Sequence, residues 1–144
     1  MERVFELKDE NATGELAARL ARALPRGSVL LLSGPLGAGK TTFVRYLARA
    51  LGFTGRVTSP TYTLLHVYPT PEGPLLHADL YRLPEPGMAF NLGLFEGTEE
   101  ARLTAVEWGR REDFPEAVEV VLKPVSETAR RARVRGPEPL LRRL

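Results

Sequence analysis

The first third of the chain alternates between strand-like and helix-like spacing of its hydrophobic residues. Residues 4–7 predict a short strand. The next apolar residues recur three and four positions apart, as on one face of an α-helix, at Leu16, Ala17, Leu20, Ala21 and Leu24. Asn11 and Thr13 are the caps we expect for this helix, and Pro25 and Gly27 should end it.

A second change from strand to helix follows directly. Residues 28–33 form an apolar run of strand length, typical of a strand buried on both faces. From Lys40 onward, apolar residues again recur at helical spacing until Gly52, namely Phe43, Val44, Leu47, Ala48 and Leu51. This strand and this helix are joined by a loop rich in glycine.

The second half of the chain is dominated by strand patterns. Residues 61–68 and 75–79 predict a hairpin, because the segment between them is rich in proline and glycine. Residues 84–100 show no clean period and predict a short helix within a loop. Three more strands are predicted at residues 103–108, 117–122 and 132–135, followed by a proline-containing tail at 136–144.

The glycine-rich loop matches the phosphate-binding pattern G-x-x-x-x-G-K-T over residues 34–41. Its glycines permit a curled backbone whose N–H groups face phosphate oxygens, and the following helix adds its positive end. We expect Lys40 to contact the β- and γ-phosphates, the Thr41 hydroxyl to bind magnesium and Thr42 to reach the α-phosphate. The predicted nucleotide-binding residues of this loop are Gly34, Leu36, Gly37, Ala38, Gly39, Lys40, Thr41 and Thr42.

Hydrolysis would need carboxylates near this loop, and two follow predicted strands. Glu107 ends the strand-like run 103–106 and is the candidate for a second magnesium ligand, beside Thr41. Asp79 ends the strand-like run 75–78 and could position the attacking water. With Lys40, these are the candidate catalytic residues. On pattern alone, each carboxylate could also be an ordinary charge at a strand end.

Several other residues admit two interpretations. Ser59 and Thr61, in Ser-Pro-Thr, could form a switch that senses the γ-phosphate, or a plain turn before a strand. Trp108 could stack on a base or a partner, or pack as a core or hinge residue. His66 and His77 stand too far apart in sequence to suggest a metal site, so both are interpreted as structural.

Composition limits the class of protein. The chain has 144 residues, enough for one substantial core, and it has no cysteine, which excludes disulfides and thiolate chemistry. Its apolar runs are too short to cross a bilayer and no secretory signal opens it, so we expect a cytoplasmic protein without membrane contact.

Charge is unevenly distributed along the chain. From Lys123 onward there are seven basic and two acidic residues, whereas the first 122 residues carry thirteen basic and sixteen acidic residues, a net charge of −3. The basic end could meet nucleic acid or an acidic partner, or form a solvated face.

Four segments together resemble the TsaE family, the bacterial ATPases of tRNA threonylcarbamoyladenosine synthesis. They are Gly-Pro-Leu-Gly-Ala-Gly-Lys-Thr-Thr-Phe at 34–43, Ser-Pro-Thr-Tyr-Thr-Leu at 59–64, His-Ala-Asp-Leu-Tyr-Arg-Leu at 77–83 and Val-Glu-Trp at 106–108. The second and third are much more particular than the first. The resemblance spans about residues 1–135, although Pro35 stands where an acidic residue is common and Gly109-Arg110-Arg111 replaces the usual continuation after Trp108.

The resemblance implies a single α/β P-loop domain over residues 1–144, with a central mixed, mostly parallel sheet, flanking helices and a β-hairpin insertion. It implies slow ATP hydrolysis with Mg²⁺, in a complex with the threonylcarbamoyl transferase TsaD and its TsaB-like paralogue, which modifies adenosine 37 of tRNA. Contact with tRNA would be indirect, through that complex. It also implies that Thr13 and Arg130 contact nucleotide, and that Ser59, Thr61 and Trp108 couple nucleotide state to the partner.

Other functions remain open from sequence. A small P-loop kinase shares this loop and size, but no Arg-rich lid segment is evident. A regulatory GTPase would need Asn-Lys-x-Asp to read guanine, and that string is absent. A non-enzymatic module that assembles with a partner when nucleotide binds is the third alternative.

Overall fold

The computed structural model of the chain describes residues 1–35, 37–57, 65–80 and 94–144, with residues 94–96 described by their backbone only. Its strands are β1 (Glu2–Leu7), β2 (Ser28–Ser33), β3 (Leu65–Tyr68), β4 (Leu75–Asp79), β5 (Leu103–Glu107), β6 (Val118–Pro124) and β7 (Arg130–Arg135). Its helices are α1 (Glu10–Ala23), α2 (Lys40–Ala50), α3 (Leu94–Glu100) and α4 (Glu138–Leu141).

The described strands form one mixed sheet in the order β1-β7-β6-β2-β5-β4-β3. Strands β6, β2, β5 and β4 pair in parallel. Strand β7 is antiparallel to β6 and β1, and β3 is antiparallel to β4. Five of these seven strands therefore point the same way, which confirms the predicted mixed, mostly parallel sheet. The predicted hairpin is β3 and β4, although residues 61–64 lie outside the described residues.

The central strand β2 is buried on both faces, as its apolar run predicts. Leu30 and Leu32 face the larger core, which also contains the buried faces of α1 and α2. Leu31 faces a smaller cluster on the other side, with Val106 and Phe114 among its members. Burial of successive residues on opposite faces follows from the two-residue period of a strand. It fixes β2 at the centre of the fold.

Helices α1 and α2 cover one face of the sheet, and they approach closely at Gly14. A Cβ built on Gly14 would lie 2.6 Å from the Tyr46 ring, so only glycine allows this approach. The prediction that Asn11 and Thr13 cap α1 is wrong, because both lie within the helix. Asp9 caps it: its backbone is extended and its carboxylate accepts a hydrogen bond from the Ala12 N–H at 2.8 Å.

The C-terminal residues 136–144, predicted as a tail, contain a short helix that packs on the larger core. Leu140, Leu141 and Leu144 are buried members of that core. Their spacing of one, three and four residues is that of a helix face, which the two prolines of the segment obscure in sequence. Pro137 is the N-cap of α4, where the absence of a proline N–H costs nothing.

The parallel arrangement of β2, β5 and β4 determines where the candidate chemistry meets. Register pairs Leu32 of β2 with Glu107 of β5, and Glu107 with Asp79 of β4. The carboxyl ends of the three strands therefore reach one edge of the sheet, which is where α/β proteins bind ligands. The loop from β2 to α2 begins at the same edge, with Gly34 directly after β2.

Candidate active site

The loop between β2 and α2 has the backbone geometry that its glycines predict. Gly34 has φ 146°, and a Cβ on it would lie 2.4 Å from the Leu122 carbonyl oxygen on β6, so a side chain cannot be accommodated. Gly39, the N-cap of α2, is left-handed with φ 98°. The Ala38 N–H donates to the Pro35 carbonyl at 3.0 Å and closes a turn. Leu36, the remaining predicted contact of this loop with nucleotide, lies outside the described residues.

Arg130 at the start of β7 holds this loop from the side. Its Nε donates to the Ala38 carbonyl at 3.1 Å and its Nη2 to the Gly37 carbonyl at 3.3 Å. Its Nη1 donates to carbonyls of the preceding turn, including that of Ser126 at 2.9 Å. Sequence predicts Arg130 as a nucleotide contact, and the structure places it beside the loop as a donor to loop carbonyls. A guanidinium has five N–H donors in a fixed plane, so it can bind several carbonyls at once.

Lys40, the first residue of α2, reaches the end of β5. Its Nζ lies 3.7 Å from Oε1 of Glu107, and the two side chains are only 10% and 6% exposed. The other carboxylate oxygen, Oε2, is 2.6 Å from Nε2 of His77 on β4. Each oxygen of this buried carboxylate therefore has its own partner. Lys40 and Glu107 are candidate catalytic residues from sequence, whereas His77 is interpreted there as structural.

Asp79 lies opposite Glu107 on the neighbouring strand. The two residues are directly paired in the parallel register of β4 and β5, and Asp79 is half-buried at the strand end. The chain after Asp79 stays close to β5, because the Leu80 N–H donates to the Glu107 carbonyl at 3.0 Å. The two candidate carboxylates thus reach the same edge of the sheet as the glycine-rich loop.

Trp108 follows Glu107 in an unusual backbone conformation. Its φ is 60°, in the left-handed region, and it is the one non-glycine residue with positive φ in the described part of the chain. Its side chain is 51% exposed, and the Lys40 Nζ lies 5.0 Å from its ring centroid, within cation–π range. The chain leaves β5 by a sharp turn that presents this indole beside the lysine of the loop.

An open cleft of about 510 Å³ adjoins the loop on its other side. Thr13, which is buried, reaches it from α1, Thr42 from α2 and Arg130 from β7. Among the described residues, its lining is Asp9, Glu10, Asn11, Thr13, Gly39, Thr42, Glu127, Thr128 and Arg130. Its size is within the range of small-molecule sites, and its hydroxyl, amide and carboxylate groups are partners for a ribose or a base. The structure thus brings together in one cleft Thr13, Thr42 and Arg130, each of which is a predicted nucleotide contact.

The oxygen donors at this edge fit a hard cation. Thr41 lies in the first turn of α2 directly after Lys40, and the Glu107 carboxylate approaches Lys40 at 3.7 Å. A hydroxyl and a carboxylate beside a phosphate site are ligands that Mg²⁺ prefers, because it binds few protein groups together with phosphate oxygens and waters. Among the described residues there is no cluster of three His, Asp or Glu side chains that could hold a metal without such help.

Two features of the site were not predicted from sequence. His77 lies two residues before Asp79 and so on the same face of β4, a spacing that could have suggested a shared site once β4 and β5 were paired. The carbonyl contacts of Arg130 have no sequence signal, since they depend on the position of β7 beside the loop. Ser59 and Thr61, the predicted switch residues, lie outside the described residues.

The arginines of β7 that follow Arg130 occupy a different face. Arg131 pairs with Glu6 at 2.6 Å, Arg133 with Glu2 at 3.2 Å and Arg135 with Glu119 at 3.6 Å. These residues of β1, β6 and β7, all exposed except the half-buried Glu119, we call the charged face. The excess of basic residues at the C-terminal end of the sequence is thus partly balanced by glutamates from elsewhere in the chain.

The sequence is similar to one family of known proteins over most of its length. The family model described as "Threonylcarbamoyl adenosine biosynthesis protein TsaE" matches residues 7–133. The tRNA threonylcarbamoyladenosine biosynthesis protein TsaE of Aquifex aeolicus is 40% identical over 130 residues, covering 89% of this chain and 92% of the relative. That of a Synechocystis species is 44% identical over 119 residues, covering 74% and 70%.

A solved structure is similar over nearly the whole chain. The crystal structure of YdiB from Bacillus subtilis aligns with a TM-score of 0.74 and 26% sequence identity, covering 99% of this chain and 91% of that one. The likeness agrees with the sheet and helices described above. Among the described residues, no helix has the length and apolar character needed to cross a membrane.

Proposed function

This chain belongs to the TsaE family of tRNA threonylcarbamoyladenosine biosynthesis proteins, and we propose that it acts there as a magnesium-dependent ATPase. ATP would bind on residues 34–42 and be hydrolysed slowly, in support of the modification of tRNA adenosine 37. The observation that carries the proposal is the buried pair of Lys40 and Glu107 directly beside the curled glycine loop. A lysine and a carboxylate at this place are the groups that a phosphate and its cation require.

The triphosphate would lie on the loop. The N–H groups of Gly37 and of residues 39–42 are near the start of α2, where the unpaired donors of a first helical turn and the helix dipole favour an anion. Lys40 would turn from Glu107 to the phosphate oxygens, a favourable exchange of one anionic partner for another. Arg130 supports this geometry by donating to the loop carbonyls of Ala38 and Gly37 at 3.1 and 3.3 Å.

Thr41 and Glu107 would hold the magnesium ion. When bound, the ion supplies positive charge that neutralises the phosphates in the transition state. Asp79 lies beside Glu107 on the same edge and would accept a hydrogen bond from the attacking water. The water oxygen would bond to the γ-phosphorus as the bond from that phosphorus to the β–γ bridging oxygen breaks. The bridging oxygen leaves with ADP, and the water proton goes to inorganic phosphate or to the solvent.

The ribose and base would occupy the cleft of about 510 Å³ next to the loop. Thr13, Thr42 and Arg130 line it together with Gly39 of the loop. The preference for ATP over GTP rests on the absence of the Asn-Lys-x-Asp string that reads guanine in regulatory GTPases. The polar lining of the cleft supplies donors and acceptors for an adenosine.

Coupling to a partner would involve Trp108. Its exposed indole lies over Lys40 at 5.0 Å, so movement of the lysine to a phosphate removes a contact of the indole. We propose that the partners are the threonylcarbamoyl transferase TsaD and its TsaB-like paralogue, in keeping with the family. Any contact with tRNA would then be made through that complex.

Calorimetric titration of the purified protein with ATP, ADP and GTP, each with Mg²⁺, tests the proposal. We expect binding of the adenine nucleotides and slow release of phosphate from ATP. Reconstituted tRNA modification with a Glu107→Ala protein then separates an ATPase from an assembly module. Modification at the normal rate by a variant that binds ATP without hydrolysing it would show that hydrolysis is incidental. Absence of heat with every nucleotide would refute the proposal altogether.

A further inference from the structure

A buried histidine lies next to the proposed magnesium site without a part in the proposed function. His77 is in the middle of β4 and its side chain is fully buried. It shares a strand face with Asp79, and the parallel register sets β4 directly against β5, which ends with Glu107. The imidazole and the Glu107 carboxylate therefore meet inside the protein, away from solvent.

The contact between these two side chains is short and involves only one of the two carboxylate oxygens. Nε2 of His77 lies 2.6 Å from Oε2 of Glu107, whereas Oε1 of the same carboxylate faces Lys40 at 3.7 Å. Since a carboxylate oxygen accepts, Nε2 carries the proton and donates it. The carboxylate is thus held by β4 through one oxygen and directed toward the glycine loop with the other.

Packing alone does not account for an imidazole at this position. Nδ1 of His77 is buried and has no hydrogen-bond partner among the described residues, so Glu107 is the one polar partner that the described structure gives this ring. A leucine would fill similar space without burying an unsatisfied nitrogen, which carries a free-energy cost. The benefit that offsets this cost is the hydrogen bond to Glu107.

We propose that His77 is a positioning residue that holds Glu107 with Oε1 toward the magnesium ion of the ATP complex. The inference rests on the proposed function. When Lys40 moves to the phosphates, Oε1 loses its partner, while Oε2 keeps His77 and the carboxylate cannot rotate away. Carboxylates that bind metals are commonly held by such hydrogen bonds, and loss of the partner lowers metal affinity by about 10- to 100-fold.

Two substitutions test this role. His77→Leu fills the space without a donor, whereas His77→Gln keeps an amide N–H near the position of Nε2. Calorimetry would give the affinity for ADP, first in EDTA and then across a series of magnesium concentrations. A separate assay would give the magnesium dependence of kcat for ATP hydrolysis. We expect His77→Leu to raise the magnesium requirement by about tenfold or more with little change of affinity in EDTA, and His77→Gln to restore most of it.

His66 provides a matched control. It is the other histidine of the chain and is paired with His77 across β3 and β4, but its Nδ1 contacts the Tyr68 hydroxyl at 3.0 Å. His66→Leu should leave the magnesium requirement unchanged. An unchanged requirement in His77→Leu, or equal loss in His77→Leu and His77→Gln, would overturn the proposal. Lack of nucleotide binding by the unsubstituted protein would instead refute the proposed function, and this inference with it.

A spectroscopic measurement covers the case in which His77→Leu does not fold. With two histidines, ¹⁵N labelling of the rings gives signals that His66→Leu assigns. We expect a slowly exchanging Nε2 proton on His77 in the unsubstituted protein, both free and with magnesium and ADP. Its chemical shift should move in Glu107→Ala. A His77 ring without a proton on Nε2 in the nucleotide complex would contradict the positioning role.

Discussion

Two sets of ion pairs lie in different parts of the molecule, and only one of them is part of the candidate site. At the site, Lys40, Glu107 and His77 form a buried group whose side chains are at most 10% exposed. On the charged face, Arg131, Arg133 and Arg135 pair with glutamates, and every side chain of these pairs is at least 20% exposed. The charged face contains more of the charged residues of the sequence than the site does.

Burial is the physical difference that leads us to assign the proposed chemistry to the smaller set. A charge removed from water interacts more strongly with its neighbours, and it costs more to leave unpaired. Exposed pairs gain little, because water and salt screen them. The basic excess after Lys123 therefore contributes mainly a solvated, partly neutralised surface, whereas Lys40, one of three lysines in the chain, faces a buried carboxylate. The following substitutions compare the two regions.

Lys40→Ala should have the largest effect. It removes the cation that would bind the phosphates, and we expect nucleotide affinity to fall by about 100-fold, equal to about 2.7 kcal/mol, with no measurable hydrolysis. Lys123→Ala is the matched control, since it removes an exposed lysine on β6. Calorimetric titration with ADP and Mg²⁺ measures both. Equal affinity in the Lys40→Ala and unsubstituted proteins would overturn the assignment of the site.

Asp79→Ala should separate binding from hydrolysis. A residue that positions water contributes after the nucleotide is bound, so we expect kcat for ATP hydrolysis to fall by about 100-fold with an ADP affinity close to normal. Asp113→Ala is a suitable control, because Asp113 lines a cavity near Ser28, at the opposite end of β2. Phosphate release under single-turnover conditions gives the rate. A large loss of ADP affinity in Asp79→Ala would place Asp79 in binding instead.

Much of the fold could be predicted from sequence, because its periodic patterns are strong. The run 28–33 has four consecutive apolar residues between two serines, and its strand has those bounds in the structure. The cap of α1 was misplaced since Asp9, Asn11 and Thr13 are all residue types that cap helices, and only geometry selects Asp9. The helix α4 was missed because two prolines interrupt a segment with only three leucines to mark its face.

The site was predictable where one local motif carries it and not where strands must first be paired. Lys40 and Thr41 belong to a contiguous motif, and Glu107 and Asp79 end strands whose carboxyl ends meet in a parallel sheet. The hydrogen bond from His77 to Glu107 joins residues thirty positions apart and depends on register. A one-residue slip of β4 would turn His77 to the other face, so sequence alone could not assign it.

Substitution of Arg130 and Arg131 allows the site and the charged face to be compared within one strand. They are adjacent in β7, but Arg130 binds carbonyls of the glycine loop and Arg131 pairs with exposed Glu6. Arg130→Ala should lower ADP affinity by about tenfold, because the loop loses the donors that hold it. Arg131→Ala should leave affinity unchanged. Titration of both variants checks this, and a similar effect of the two would mean that β7 acts through general charge.

The charged face itself should respond weakly, and salt should remove the response. Glu2 pairs with Arg133 at 3.2 Å and lies 3.9 Å from Arg135, with Glu2 43% and both arginines 57% exposed. We expect Glu2→Gln to lower the free energy of unfolding in urea by less than about 1 kcal/mol at about 0.01 M salt. At about 1 M salt, where screening acts over about 3 Å, the difference should vanish.

A larger loss in Glu2→Gln that persists at high salt would show that the glutamate acts through packing or shape, since salt screens exposed charge and leaves packing intact. Glu107→Ala offers the contrast in the same assay. It removes the partner of both Lys40 and buried His77, so its destabilisation should exceed that of Glu2→Gln and survive high salt. If both variants lost their effect together, burial would not distinguish the two regions, and the site would be as open to solvent as the charged face.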